Sequence, residues 1–479
     1  MTVTLEPLRA QCTLHLPGDP GYDAARMPWN AAVDQRPAAV AVPRTAEEVA
    51  AVVRAAVAAG LRVAPQSTGH GAGALSERSM DDVVLLRLSE LTGVTVDPAA
   101  RTARVLGGTL WQDVLAATAP HGLTALHGSA PDVAVAGYVL GGGLSFYGRA
   151  HGLAVNSVRS LDIVGPDGTL VHASARQNPD LFWAVRGGGG NFGVVVALEL
   201  ELLPYPDVFA GMLLWDRARA ADVVPAWVAW TETAPESVTT ALRVMSFPPL
   251  PELPPFLSGR DVVIVDGAIL ATDEHAAELL APLRALAPEL DTFGRIPADA
   301  LLQVHMDPPA PTPTVGDHSV LGDLDTAAVT ALLDHVGDGT THGLMFAELR
   351  HIGGALARPP RAGGGAAPNT PPHRPGHRGR APPPPRPAAA GGALSHIPGT
   401  YGLLCVAVAP TPQAAVAGRA AAFAVVRAMA PWSRHNLIPT FTENRVDSGR
   451  MFDGEDWAKL CHLRDELAPG AVFVANHAL

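Results

Sequence analysis

Residues 66–73 read QSTGHGAG and set one imidazole, His70, inside a glycine loop that follows a short strand-like run. Clustered glycines let backbone N–H groups converge on an anion, because no Cβ holds the ligand away. A loop built only for that purpose needs no histidine. His70 adds a ring that is nucleophilic when neutral. Two more constellations follow, GSAPDVAVAGYVLGGGLSFYGRAHGL (128–153) and FWAVRGGGGNFGVVV (182–196). Any one of them reads equally well as a surface turn. Three within the first 205 residues point to one large ligand carrying a pyrophosphate. A phosphate-loop NTPase is excluded, because no glycine run continues into Gly-Lys-Ser/Thr and Lys459 is the sole lysine.

Periodicity indicates the elements that must position these loops. In PRTAEEVAAVVRAAVAAGLRVAPQ (43–66), Thr45 and Glu48 form a capping-box pattern. Val49, Val52, Val53, Ala56 and Val57 recur at helical spacing, Gly60 can end the helix, and 61–66 reads as a strand. DDVVLLRL (81–88) is a further strand, and 94–108 a hairpin around Asp97-Pro98. A short amphipathic helix over 109–123 takes Thr109 as its cap. A second hairpin over 160–174 turns at Pro166-Asp167-Gly168, and 192–204 is a strand. Beyond about 206 the glycine clusters stop. Strand-like ALRVMSF, DVVIVDGAIL, LMFAELRHIGGA and YGLLCVAVAP mix with helical 272–287 and 411–432, which predicts an α+β domain. Helical FDGEDWAKLCHLRDELAP precedes the C-terminal GAVFVANHAL.

The 479 residues suffice for two or three domains with large cores, at 48% apolar and 17% charged. A net charge of −12, from 34 basic and 46 acidic residues, argues against a nucleic-acid or anionic-membrane partner. Cys12, Cys405 and Cys461 are too scattered for a disulfide framework or a zinc site, and no other metal motif is present. No signal peptide or membrane-spanning run is visible, so a cytoplasmic soluble protein is expected. Residues 358–392 are Pro, Arg, Gly and Ala with scarcely a large apolar side chain. They read as a disordered surface insertion or as a local frameshift, since GC-rich codons read out of frame still yield these residue types.

In combination, the motifs resemble the flavin-linked oxidases of the berberine bridge enzyme-like family, within the vanillyl-alcohol-oxidase (PCMH-type) superfamily. The resemblance runs from WNAAVDQRPAAVAVPRTAEEVAAVV (29–53) through STGHGAG, VAVAGYVLGGGLSFYGRAHGL and LFWAVRGGGGNFGVV to LRDELAPGAVFVANHAL. It implies an α+β fold with a PCMH-type FAD-binding domain of two subdomains over 1–205. It also implies a substrate domain over 206–432, whose antiparallel sheet is covered by helices, and a C-terminal segment over 433–479 returning to the FAD domain.

The cofactor implied is FAD. Ser67, Thr68, Gly69, Gly71, Ala72 and Gly73 match the loop that wraps its pyrophosphate, and His70 matches the residue bonded to the flavin 8-methyl carbon. The alternatives for His70 are a noncovalent ligand or an ordinary loop histidine. Ser129, Val135, Gly137, Gly141, Gly142 and Gly143 match the cofactor-lining run. Gly188, Gly189, Gly190, Asn191, Phe192, Gly193 and Val195 match a further contact segment, and Asn476 a C-terminal residue near the flavin. Doubly linked members carry a cysteine where this chain has Ala130, so the resemblance implies a single tie, through His70.

The implied reaction oxidises a C–OH or C–N bond of a small or carbohydrate-like molecule, with dioxygen as acceptor. A dehydrogenase with another acceptor, or a flavin-binding protein inactivated at 358–392, are the other readings. A hydroxyl proton must pass to a base. The family's Tyr-x-Asn pattern is not evident in LIPTFTENRVD (437–447). The remaining candidates are His351, Tyr147 and Arg350, with His305, Asp307 and Arg149. Strand alternation lets only one of Arg350 and His351 face the flavin.

Overall fold

The computed structural model describes residues 6–360 and 391–479. Most of the low-complexity stretch 358–392, namely 361–390, therefore lies outside the described residues. Three sheets organise the described residues. The first holds β1 (Thr13–His15), β2 (Ala39–Val42), β3 (Arg62–Gln66) and β4 (Val83–Arg87) in the order β1-β2-β4-β3, with β2, β4 and β3 parallel. The helix Ala46–Ala58 covers it. Thr45 Oγ1 accepts from the Glu48 N–H (3.2 Å), and Val49, Val52, Val53 and Ala56 are fully buried. The C-terminal segment adds to this sheet. Val63 donates to Val472 (2.8 Å), and Val474 donates to Val63 (2.9 Å).

The second sheet is antiparallel: β5 (Val94–Asp97), β6 (Thr102–Leu106), β7 (Val158–Val164), β8 (Leu170–Ser174) and β9 (Val194–Glu201), ordered β5-β6-β9-β7-β8. The helix expected from Thr109 instead spans Trp111–Thr118, with Leu110 at the cap position. Thr109 Oγ1 is engaged at Gly93, accepting from its N–H (3.0 Å) and lying 3.2 Å from its carbonyl, so it closes the hairpin instead.

The third sheet contains β10 (Asp207–Asp216), β11 (Val238–Ser246), β12 (Asp261–Ile269), β13 (Leu290–Asp291), β14 (Gly294–Pro297), β15 (Thr314–Leu321), β16 (Phe346–His351) and β17 (Tyr401–Val408). Its order is β13-β10-β12-β11-β16-β17-β15, with β14 also on β10. Helices Ala220–Thr233, Asp273–Arg284, Thr326–Val336 and Pro412–Ala428 bury one face of it. β16 and β17 pair directly from Phe346↔Val406 to His351↔Tyr401. Among the described residues the sheet is thus continuous between the strands on either side of 358–392. β10 and β15 were not singled out by pattern. DVFAGMLLWD is nearly continuously apolar, and such a run has no period to read. In TVGDHSVL, a glycine, an aspartate and a histidine interrupt the β pattern.

Close backbone approach holds the first two sheets together. A Cβ on Gly108 would lie 1.7 Å from the Leu88 carbonyl oxygen across the two sheets, and within the second sheet one on Gly107 would lie 2.6 Å from that of Val195. Gly108→Ala must push a backbone aside and should cost about 1–3 kcal/mol. A denaturant midpoint that falls accordingly would agree. An unchanged midpoint would show that the junction yields without strain.

Candidate active site

β3 delivers the chain into the loop that carries His70. The Ser67 hydroxyl donates to the Gly107 carbonyl (2.8 Å), and the Trp29 N–H to the Thr68 carbonyl (2.9 Å). Gly69 has φ +82°, where a side chain is strained, and a Cβ there would meet Pro28 at 2.7 Å. The His70 ring stacks on Trp29 with centroids 4.3 Å apart and planes 19° apart. Its Nδ1 hydrogen-bonds with Thr68 Oγ1 (2.8 Å). Among the described residues its Nε2 has no hydrogen-bond partner, and it lies 3.8 Å from Asp132 Oδ1. Asp132 in turn accepts from Trp29 Nε1 (2.5 Å). Burial pushes the imidazole down to about 4, against the opposing pull of Asp132 and Asp307. The ring is therefore neutral at neutral pH, as a nitrogen nucleophile must be.

Two cavities meet at this loop. The larger, about 420 Å³, is lined by Thr68, Gly69, His70, Gly71, Ser129 and Ala130 on one side and by the third sheet on the other. The smaller, about 180 Å³, is lined by Gly187, Gly188, Gly189, Gly190, Asn191, Gly193 and Val195. They share Pro65, Gln66, Ser67, Gly137, Gly141 and Asn476. Together they form an elongated slot with a backbone wall. At Gly137 the space a Cβ would fill is open, and at Gly190 a Cβ would press on Pro65 at 3.0 Å. The glycine-rich part of this wall, beginning beside a neutral imidazole, fits FAD. The diphosphate end suits the glycine-lined part and the ring suits the wider part.

The third sheet faces the wider cavity with alternate residues. Phe346, Glu348 and Arg350 of β16 and Leu404 and Val406 of β17 line it. Behind this face lies a buried chain of charges. Arg243 donates to Asp266, and both Asp266 oxygens lie 3.1 Å from His305 Nδ1. His305 Nε2 lies 3.2 Å from Glu348 Oε2, and Glu348 Oε1 accepts from Arg350 Nε (2.7 Å). Burial and the Arg243 charge oppose protonation of His305, but Asp266 and Asp307 prevail and raise it to about 9. Burial works against the Glu348 charge, yet Arg350 and His305 hold it well below the usual carboxylate range. Arg350 ends the chain at the cavity, its guanidinium 5.5 Å from the Phe441 ring centre and 5.9 Å from that of Phe146.

Not every residue singled out by pattern reaches the slot. Of the pair on β16, Arg350 faces the cavity, while His351 faces the helices. There His351 Nε2 pairs with Arg149 and its ring stacks on Tyr401 at 5.6 Å. Burial and Arg149 push it down to about 2. Arg149 is spent on this contact and on the Ile352 carbonyl (2.6 Å). Tyr147 is fully buried between Tyr205 and His127, 5.8 Å from each ring, and lines neither cavity. His351 and Tyr147 are therefore corrected from candidate catalytic groups to packing residues. Gly142 and Gly143, with φ +101° and +74°, serve the turn against Leu394, Tyr138 and Ala154. Phe192 and Val135 fill the core. Ala72 is buried, and Gly73 provides a close approach to the C-terminal segment, not a wall of the slot. Asn191 borders the smaller cavity, but its amide donates to the carbonyls of Gly188 (2.8 Å) and His477 (2.9 Å).

Pattern reading missed Trp29, Asp132, Tyr138, Glu348 and Glu443, all on or beside the cavity. Ala130 lies on the cavity wall, and none of the three cysteines lines it.

Residues 37–174 match the family described as an FAD binding domain. Among curated proteins, the glucooligosaccharide oxidase of Sarocladium strictum is 32% identical over 240 residues, spanning 49% of this chain and 48% of its own length. The (R)-6-hydroxynicotine oxidase of Paenarthrobacter nicotinovorans is 34% identical over 210 residues, 44% of this chain and 45% of its own. The chain thus spans about half the length of the curated relatives it matches. The solved structure of Physcomitrella patens BBE-like 1 superposes with a TM-score of 0.80 at 20% identity, covering 99% of this chain and 98% of that one. The chain is accordingly an FAD-binding protein. It has the α+β fold of the berberine bridge enzyme-like, PCMH-type FAD-linked oxidases, in agreement with the resemblance carried by its glycine motifs. Among the described residues no helix is long and apolar enough to cross a membrane.

Because folding raises His305 from 6.5 to about 9, its contribution is complete below pH 6.5 and is lost as pH rises through about 9. The melting temperature should fall over that interval, and His305→Gln should flatten the fall. Asp266→Asn leaves Arg243 and His305 without their shared counter-charge and should cost about 3–5 kcal/mol. A variant as stable as the parent across that pH range would show that the chain does not depend on these charges.

Proposed function

We propose that the chain is an FAD-dependent oxidoreductase whose flavin is tied to the protein through His70 alone. On this reading it oxidises a C–OH or C–N bond of a small or carbohydrate-like molecule, with dioxygen as acceptor. The observation that carries the reading is the neutral His70 Nε2, unpartnered among the described residues, at the point where the glycine-walled slot opens into a cavity faced by a second sheet. The names of the relatives support it: two matched proteins are oxidases, one of an oligosaccharide and one of a hydroxynicotine.

Bound FAD supplies a two-electron acceptor for a substrate C–H bond. The chain's own groups divide the remaining work. Trp29 holds the His70 ring by stacking, and Thr68 fixes Nδ1, which leaves Nε2 available for a bond to carbon. Gly137, Gly141 and Gly190, which line the slot, would present backbone to the dinucleotide. Arg350 can donate to a substrate oxygen, while Phe346, Leu404, Val406 and Phe441 exclude water from the rest of the cavity. The absence of a cysteine at Ala130 supports the single tie.

Two measurements test the proposal. Acid-precipitated protein should stay yellow, and His70→Ala should release its colour into the supernatant. Colour retained by the variant would refute the tie through His70. A panel of sugars, oligosaccharides and cyclic amines should include one that bleaches the flavin without oxygen and yields peroxide in air. Bleaching that only a dye, not oxygen, reverses would make the protein a dehydrogenase. No bleaching by any member would remove the catalytic reading.

A further inference from the structure

A separate cavity of about 330 Å³ lies beside β15, at the edge of the large sheet. Its inner wall is buried His318, Ser319 and Thr442, and its rim is exposed at Phe423, Arg427 and Ala430. Thr442 and Glu443 line this rear cavity and the substrate-facing cavity alike. Glu443 is held there by two glycines. Its carbonyl oxygen sits where a Cβ on Gly73 would lie, 2.2 Å away, three residues beyond His70. Its carboxyl reaches toward Gly316 of β15, where a Cβ would stand 3.5 Å from Oε2. Burial raises the carboxyl to about 7, with the Gly316 backbone pulling it down in part.

Most other ionisable groups around the two cavities are already committed, while Asp307 Oδ2 and the Tyr138 hydroxyl, on the front cavity, have no hydrogen-bond partner among the described residues. Arg350 and His305 hold their protons in the buried charge chain. His318 Nε2 accepts from the Ile438 N–H (3.1 Å), and His477 Nε2 lies 3.3 Å from the Pro439 carbonyl. Asp317, Arg427 and Arg450 face the rear cavity only, and Asp307 and His70 the front cavity only.

We propose that Glu443 is the general base for the substrate and that the rear cavity is the route by which the abstracted proton leaves. The proposal rests on the oxidoreductase reading. The substrate O–H (or N–H) bond breaks and its proton goes to a Glu443 oxygen. The adjacent C–H bond gives up its hydride to the FAD, and a C=O (or C=N) bond forms. Glu443 then releases the proton past Asp317 toward the exposed rim of the rear cavity.

The test compares the FAD-loaded protein with Glu443→Gln, which keeps the shape and removes the base. Flavin reduction by substrate should slow by about 10²–10⁴-fold, mainly in kcat, and lose its rise with pH through neutrality. Glu443→Asp should recover part of the rate. Reoxidation of chemically reduced flavin by oxygen should be unchanged. An infrared titration of the same proteins adds a readout independent of turnover. The parent should show a carboxyl C=O band that disappears with a midpoint near pH 7, and Glu443→Gln should lack it. Ala430→Trp, which narrows the rim, should delay proton release to an indicator dye without raising KM. Reduction by Glu443→Gln at the parent rate and pH profile would overturn the proposal, as would an unaltered infrared band. If no substrate bleaches the parent flavin, the oxidoreductase reading fails. A missing neutral-pH band would still fail Glu443 separately.

Discussion

The whole arrangement depends on a constraint of space: a dinucleotide-length slot can exist here only where the backbone has no Cβ. Gly137 leaves open the volume a side chain would take, and Gly141 lines both halves of the slot. Gly108 lets the first two sheets approach closely enough for Ser67 to bond across to Gly107. Gly73 lets the C-terminal segment seat Glu443 beside the His70 loop. Segments far apart in sequence are thus brought to one site by the absence of side chains at their contacts. Glycine in such positions costs conformational entropy, and the large apolar cores on either side offset that cost.

The second dependence is electrostatic. A sheet face turned toward a cofactor would ordinarily be apolar, since buried charge is costly unless paired. Here Arg243, Asp266, His305, Glu348 and Arg350 alternate in sign along one line, so each charge is flanked by its opposite. Arg350 reaches the cavity as a fixed donor, because Glu348 holds it against Phe146 and Phe441. The opposite face of the same strand carries Ala347, Leu349 and His351 into the helices, where Arg149 locks the histidine. One strand therefore divides its residues between chemistry and packing by simple alternation.

That alternation was legible in the sequence, but its phase was not. Pattern alone could say that one of Arg350 and His351 faces the flavin, whereas which one does depends on helices folding onto the far face. Much of the FAD-binding half was readable, because hairpins, caps and glycine clusters are local signals. Thr45 caps its helix as its spacing suggests. Thr109 does not, because Gly93 recruits its hydroxyl across the hairpin. Trp29, Glu348 and Glu443 were invisible as site residues because each acquires its role only through a distant partner: His70, His305 and Gly316. Tyr147 misled for the converse reason. It follows a glycine run in sequence, yet its ring turns inward against Tyr205.

The central claim is that His70 alone anchors the flavin at the head of the slot. Peptide mapping by mass spectrometry of the denatured, protease-digested protein tests it most directly. The account predicts one flavin-bearing peptide, the one containing His70, heavier than its bare form by FAD less two hydrogens, with the modification on the imidazole. A bare His70 peptide with all flavin recovered free, or a flavin found on any other residue, would contradict it.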